Sequence, residues 1–376
     1  MCPNSIVKSE TRSFTKIGTV LVTGAGGEIG HSLIPRLVEQ GVDKIVALDL
    51  RGHAGCESEV STWGKKVEWI VGDLLDSDLL ARLEHDFKFD AIFHLAALLS
   101  TTGEKNPERA HTVNVEGSLK LLGLAQCQTV ARSESGAAPV KFIFPSTIAI
   151  YGLSPAVDKL ATGKVKEDSH LDPITMYGCN KLYVENLGRY FARHFRMLDP
   201  TASQARIDFR AVRFPGIVSA HTVPAGGTSD YGPEMLHFAA SGRAYECFVP
   251  ADATLPFMVM PDAVQALLGI AAAPSENLTR LVYNVTSFSI SAAQIRERVL
   301  KAFPSAAITF NPHRARAAIV ASWPADMDDS AARADWGWSP EYDCDRAFAD
   351  YLVPAITARY RQPSSCLLYT SDAADE

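Results

Sequence analysis

Thr19-Val20-Leu21-Val22-Thr23-Gly24-Ala25-Gly26-Gly27-Glu28-Ile29-Gly30 begins as a β-branched run and breaks into glycines. Thr19 to Val22 reads as a buried strand. The periodic stretch Ile29 to Gln40, stopped by Gly41, reads as a helix, in which Pro35 predicts a kink or a late start. Between them lie Gly24, Gly27 and Gly30, spaced three and three. Glycines let a backbone turn sharply and approach a pyrophosphate, whose charge then sits at a helix N-terminus. The spacing departs from G-x-G-x-x-G, which needs a small residue where Ile29 stands. The order strand, glycines, helix is nevertheless that of a dinucleotide cradle.

Further strands are expected at Lys44 to Asp49, Val67 to Val71, Asp90 to Leu95, Val140 to Phe144 and Phe209 to Phe214, with helical patterns between most of them. That alternation predicts an α/β fold, a doubly wound parallel sheet of Rossmann type. After Pro215 the texture changes. Thr222 to Gly232 reads as a loop, and beyond it short helical and strand patterns mix. The expected organisation is an N-terminal extension over 1–18, a dinucleotide-binding domain over 19–215, and a mainly substrate-binding portion over 216–361, partly interleaved with the sheet. Residues 362–376 read as a disordered or non-native tail, because Pro363-Ser364-Ser365 ends the last helical pattern and no periodicity follows.

The chain has 376 residues, 47% of them hydrophobic and 21% charged, with a formal net charge of -7. This composition suits a globular enzyme and gives a nucleic-acid partner no global electrostatic support. No apolar run reaches the ~20 residues that span a bilayer, so no membrane partner is expected. Seven cysteines and ten histidines fall in no metal-binding or redox spacing, and no metal is expected. Lys8, Arg12 and Lys16 among serines and threonines have the flavour of a mitochondrial presequence, weakened by Glu10. The expected location is cytoplasmic, with the mitochondrial matrix as the alternative.

Asp49 closes the second strand, about 20 residues beyond the glycines, where a carboxylate accepts both ribose hydroxyls and repels a 2'-phosphate. That favours NAD; Arg51 is the counter-argument, since an arginine there suits NADP. Asp73, after the third strand, is placed to bond an adenine edge or to make a turn. Tyr177-Gly178-Cys179-Asn180-Lys181 sets a phenol and an ammonium at i, i+4, on one helix face. Free tyrosine titrates near pH 10, and positive charge beside it favours phenolate, the form that takes a proton from an alcohol. Pro145-Ser146-Thr147 follows the fifth strand and brings hydroxyls to the sheet edge where open α/β sheets bind ligands. Thr147 is the candidate to hold the reacting oxygen; a turn or capping role fits Ser146 better.

These pieces in this order resemble the extended short-chain dehydrogenase/reductase family. The resemblance rests on the glycine spacing, Asp49, Gly72-Asp73-Leu74, His94-Leu95-Ala96-Ala97, Asn114-Val115-Glu116-Gly117, Thr147 to Gly152, the Tyr177/Lys181 pair and Arg213-Phe214-Pro215-Gly216. It covers residues 19 to 360. It implies that Thr147, Tyr177 and Lys181 are catalytic and that Asn114 supports the active-site helix or a proton relay. It also implies that Gly24, Gly27, Glu28, Ile29, Gly30, Asp49, Arg51, Asp73, Leu74, Leu95, Ala96, Ala97 and Pro215 border the cofactor with Tyr177 and Lys181. Dehydratases of the family carry an Asp-Glu pair after the threonine; Ile148-Ala149 stand there instead. A homodimer is implied too.

A narrower resemblance is to the family's short-chain L-threonine 3-dehydrogenases. It rests on Leu98-Leu99-Ser100 with Gly103-Glu104, Thr175-Met176, Gly226 to Tyr231, Leu255 to Asp262, Tyr283 to Ser289, Ser322-Trp323-Pro324 and Asp335 to Trp338. It implies L-threonine as a small-molecule substrate, contacted by Ser100, Thr147, Thr175, Tyr177, Gly226, Thr228 and Ser229. Trp323 reads as a pocket wall or as core. A nucleotide-sugar 4-epimerase, its pyrophosphate gripped by Arg314, Arg316 or Arg333, and a non-catalytic NAD-binding protein remain the alternatives.

Overall fold

The structure, a computed structural model, describes residues 18–52, 64–154, 159–224 and 227–361. The extension over 1–17, the tail over 362–376 and Gly226 lie outside the described residues. The strands in chain order are β1 Thr19–Thr23, β2 Lys44–Asp49, β3 Val67–Val71, β4 Ala91–His94, β5 Lys141–Thr147, β6 Lys164–Val165, β7 Asp208–Phe214, β8 Gly216–Val218, β9 Tyr245–Cys247, β10 Thr254–Val259, β11 Val282–Asn284, β12 Phe288–Ser291, β13 Ile308–Phe310 and β14 Asp326–Met327.

Seven of these form one sheet in the order β11-β7-β5-β4-β1-β2-β3, parallel throughout. Apart from the edge strand β3, its strands are largely buried on both faces, and the period of two divides them. Val20 and Val22 pack under the helices Glu28–Glu39 and Met260–Ala272. Leu21 packs on the opposite side with residues of the helices Gly117–Ser133 and Met176–Arg193. The doubly wound parallel sheet expected from the sequence is therefore present. Strand order reverses between β1 and β4, and the crevice beyond their C-terminal ends is where such sheets bind ligands.

Three differences from the sequence reading have local causes. The first helix, Glu28–Glu39, runs straight through Pro35 as one element. β5 extends to Thr147, past Pro145, because β4 pairs with it only as far as Ile143; the missing proline N–H lies beyond the two-sided part of the ladder. β11, three residues long, adds an edge strand with too few residues to show a period. The remaining C-terminal strands form small sheets, β12-β10-β8, β13-β9 and β14-β6, around a second apolar core that includes Tyr231, Phe257 and Trp323.

His94 fastens the central strands from inside. Its Nδ1 meets Thr23 Oγ1 at 2.8 Å and its Nε2 meets Ser118 Oγ at 2.8 Å. Burial, assisted by the Lys181 ammonium, lowers its pKa from 6.5 to about 3. The unfolded chain therefore binds a proton below pH 6.5 that the folded chain refuses. The stability this residue contributes is complete above pH 6.5 and is lost as pH falls toward about 3. The expected loss is about 2 kcal/mol between pH 6.5 and pH 5. Denaturant midpoints across that interval check it: His94→Gln should flatten the pH dependence, and an equal slope in both proteins would contradict it.

Candidate active site

Gly24 turns the chain at the end of β1 with φ 67°, and a Cβ there would sit 2.6 Å from Ala96 N. The loops after β1 and β4, the latter carrying Leu95, Ala96 and Ala97, therefore touch only because residue 24 is glycine. A Cβ at Gly30 would lie 2.4 Å from Ala25 O, so the following helix starts hard against the turn. Gly27 caps that helix without a side chain, which leaves its first N–H groups facing the crevice as an anion site. Asp49 reaches in from the end of β2, where its Oδ2 accepts from Gly26 N at 2.9 Å and its Oδ1 from Arg51 N at 3.4 Å. A glycine turn, an uncapped helix start and a carboxylate at the second strand end fit a dinucleotide with free ribose hydroxyls.

Other expected cofactor residues divide between crevice and core. Glu28 is exposed at the helix start, near Thr222 and Asp230. Ile29 is partly buried against the core. The Leu74 side chain is core, packed against Gly117. Asp73 makes a turn, its Oδ1 accepting from Leu75 N at 2.9 Å. Pro215 is buried between β7 and β8.

The proton-transfer group assembles where the helix Met176–Arg193 meets the turn after β5. The Thr147 hydroxyl is the side chain that acts on the Tyr177 phenol. Lys181, buried, donates from Nζ to Pro145 O at 2.8 Å, 5.6 Å from the Tyr177 ring and 4.5 Å from the Phe144 ring. Burial pushes the Tyr177 phenol well up, and its bond with Thr147 pulls it partway back. Burial also brings the Lys181 ammonium down to about 7, opposed by Glu185. Within the protein, then, Thr147 rather than Lys181 is the neighbour that lowers the phenol. Lys181 aims its charge at a carbonyl instead.

The capping role expected of Ser146 falls to Thr147. Thr147 caps the short 3-10 turn Ile148–Ile150, accepting from Ala149 N at 3.2 Å. Ser146 is buried and donates to Glu185 Oε1 at 2.5 Å. Glu185 and Arg213 form an ion pair with both side chains fully buried: Nε to Oε1 is 2.9 Å and Nη2 to Oε2 is 2.7 Å. Arg213 also holds Tyr151 Oη at 2.9 Å and Glu167 O at 2.6 Å. The sequence reading missed Glu185. The signal was present: Tyr177, Lys181, Glu185 and Arg189 continue the i, i+4 row along one helix face.

Ser100 and Thr228, 128 residues apart, meet with their hydroxyls 3.0 Å apart. Ser229 lies beside Gly216, its Cβ 3.4 Å from where a Cβ on that glycine would stand. Thr175, expected at the substrate, is the N-cap of the Tyr177 helix and accepts from Gly178 N at 3.1 Å. The Asn114 amide grips the loop after β4, accepting from Leu98 N at 2.7 Å and donating to Leu98 O at 3.0 Å. Glu104, part of the narrower resemblance but given no role there, accepts from Met176 N at 2.7 Å and so ties the Ser100 helix to the Tyr177 helix. Trp323 is core, not a pocket wall. Arg333 pairs with Asp329, Arg316 stacks on Phe248 and donates to Gly227 O at 3.1 Å, and Arg314 is exposed. Among the described residues no cluster of His, Cys, Asp or Glu forms a metal site, and no helix is long and apolar enough to cross a membrane.

Gly178 lets the two halves of this site touch. A Cβ there would sit 2.1 Å from Ala149 O and 2.9 Å from Pro173 Cβ. Gly178→Ala should cost about 3 kcal/mol of stability, at the upper end for overpacking, and separate Tyr177 from Thr147. Thermal unfolding with near-wild-type stability would contradict the contact.

Residues 20–286 match the family model described as the NAD dependent epimerase/dehydratase family. The chain is 33% identical over 325 residues to the mitochondrial L-threonine 3-dehydrogenase of Bos taurus, covering 86% of this chain and 79% of that protein. An uncharacterized epimerase/dehydratase of Staphylococcus aureus (strain USA300) is 32% identical over 326 residues, 86% of this chain and 92% of the relative. The crystal structure of L-threonine dehydrogenase from Phytophthora infestans superposes with a TM-score of 0.76 at 34% identity, over 89% of this chain and 99% of that one. The glycine cradle, Asp49 and the parallel sheet agree with these matches: the chain belongs to the NAD dependent epimerase/dehydratase family, and NAD is the dinucleotide its crevice takes.

Proposed function

We propose that this protein, an NAD-dependent dehydrogenase, oxidises the 3-hydroxyl of L-threonine to give 2-amino-3-oxobutyrate and NADH. The observation that carries the reading is the gathering of Thr147, Tyr177 and Lys181 in one buried group. Threonine as substrate is supported by the relatives of that name and by the buried hydroxyl pair Ser100 and Thr228, which suits a small polar molecule.

Bound NAD supplies the acceptor for the hydride that leaves C3. In this reading Thr147 holds the substrate oxygen beside the Tyr177 phenolate, which takes the hydroxyl proton as the C–H bond breaks. With NAD bound, the charge of the oxidised nicotinamide would join that of Lys181 in favouring the phenolate, and Lys181 would hold the nicotinamide ribose. Asn114 and Thr175 position rather than react: one fixes the loop that leads to Ser100, the other starts the Tyr177 helix. Ser229 and Gly226 complete the substrate loop. Residues 19–215 carry the cofactor and 216–361 most of the substrate enclosure. Dehydration lacks its acid and base, because Ile148 and Ala149 are buried apolar residues. Epimerisation of a nucleotide sugar is disfavoured by Arg333, which is paired with Asp329, and by Arg316, which is stacked on Phe248. A non-catalytic role leaves the Tyr177, Lys181 and Thr147 cluster without a purpose.

The same reading includes a homodimer through the helices Gly117–Ser133 and Met176–Arg193, which expose Leu119, Tyr183 and Tyr190, in the cytoplasm or the mitochondrial matrix. Light scattering should give twice the chain mass; a monomer at all concentrations would reject that part.

Purified protein with NAD should reduce the cofactor when given L-threonine. Turnover of a UDP-sugar with none of threonine would replace this function with the epimerase. Tyr177→Phe should keep NAD affinity and lose at least about a hundredfold in kcat; unchanged kcat would remove Tyr177 from the chemistry.

A further inference from the structure

The ion pair beneath the active site has a consequence for Lys181. Glu185 lies one helical turn beyond Lys181 on the same face. It is enclosed completely, and its carboxylate is held by Ser146 Oγ at 2.5 Å, Arg213 Nε at 2.9 Å and Arg213 Nη2 at 2.7 Å. Arg189 Nη2 stands 3.8 Å from the same carboxylate, with about a third of its side chain exposed. Lys181 itself is buried and touches Pro145 O and the Phe144 and Tyr177 rings. Of these neighbours none is an anion.

We propose that Glu185 is a positioning residue that raises the share of Lys181 in its ammonium form near neutral pH, and that Arg213 and Ser146 hold that carboxylate in place for the purpose. The charged and titratable groups around Lys181 are Tyr177 and Glu185 on its own helix and His94 on β4. Beyond Glu185 lie Arg213 on β7 and Arg189. His94 is neutral above about pH 3 and Tyr177 carries no charge while it stays a phenol, so Glu185 is the one negative charge acting on Lys181 among them. Its effect opposes burial, and the two together leave the lysine at about 7. The inference rests on the reading of Lys181 as a catalytic group, but its test reads the residue itself.

The titration of Lys181 is followed by NMR in protein labelled with [13C]lysine, its signal assigned by its loss in Lys181→Gln. Glu185→Gln should lower the midpoint by about one pH unit, and Glu185→Asp should restore most of it. Should Glu185→Gln alone fail to fold, the double variant Glu185→Gln/Arg213→Gln decides, because it removes the buried pair without leaving an unpaired charge. Its midpoint should still fall below the wild-type value, because the carboxylate stands one turn from Lys181 on the same helix face. A midpoint that stays at the wild-type value in the folded variants overturns the proposal, whereas a merely structural ion pair would change stability and leave the midpoint alone. If the midpoint moves while the alkaline limb of turnover does not, the role of Glu185 stands and the assignment of Lys181 to the reaction fails.

Discussion

The site exists because a helix can sit closer to a turn than side chains normally permit. Residue 178 has no Cβ, and the Ala149 carbonyl occupies the space one would need. This contact fixes Tyr177 against Thr147, since each is the immediate neighbour of the 3-10 turn or of the glycine. The Thr175 hydroxyl starts the helix one turn away, so the phenol is set by backbone geometry at both sides. Side-chain packing of ordinary density tolerates shifts of this size poorly; a reacting hydroxyl placed an ångström too far loses most of its rate.

Such a close approach needs the surrounding elements to be held, and the buried charges do that. Arg213 from β7 reaches Glu185 on the helix, Tyr151 after the turn and the Glu167 carbonyl. Ser146 joins the end of β5 to the same carboxylate. Tyr151 continues to Asn284 on β11 at 2.7 Å. One arginine therefore links two sheet strands, the Tyr177 helix and two loops. A buried ion pair is poor evidence of stability in itself, because desolvation offsets its attraction. Its value here is geometric: Arg213 Nε and Nη2 grip the helix through Glu185, Nη1 reaches Tyr151 and the Glu167 carbonyl, and Glu185 Oε1 takes Ser146 as well.

Much of this could be read from the residues, and the unread part has physical reasons. Six strands of the main sheet were legible, because runs such as Val20-Leu21-Val22 are buried on both faces and end at glycines. The cradle and Asp49 were legible because they need particular residue types at fixed distances along the chain. β11 was hidden by its shortness, and the last turn of β5 by Pro145. The Glu185–Arg213 pair was hidden for another reason. Charged residues are almost never fully buried unless paired, and one sequence does not reveal partners 28 residues apart in different elements. The Ser100–Thr228 contact was legible only as two separate hydroxyls. Leu74 shows the converse case, a residue in a recognisable motif whose side chain serves the core, and of the two readings of Trp323 the core is the one its burial fits.

The account stands or falls on where the hydride comes from and which side chain receives the proton. Single-turnover reduction of NAD by L-threonine carrying deuterium at C3 measures this most directly. The account predicts that the label appears on the reduced cofactor, that the step is slowed by the heavier isotope, and that transfer is lost in Tyr177→Phe. Unlabelled reduced cofactor, or full transfer without the tyrosine, would contradict it.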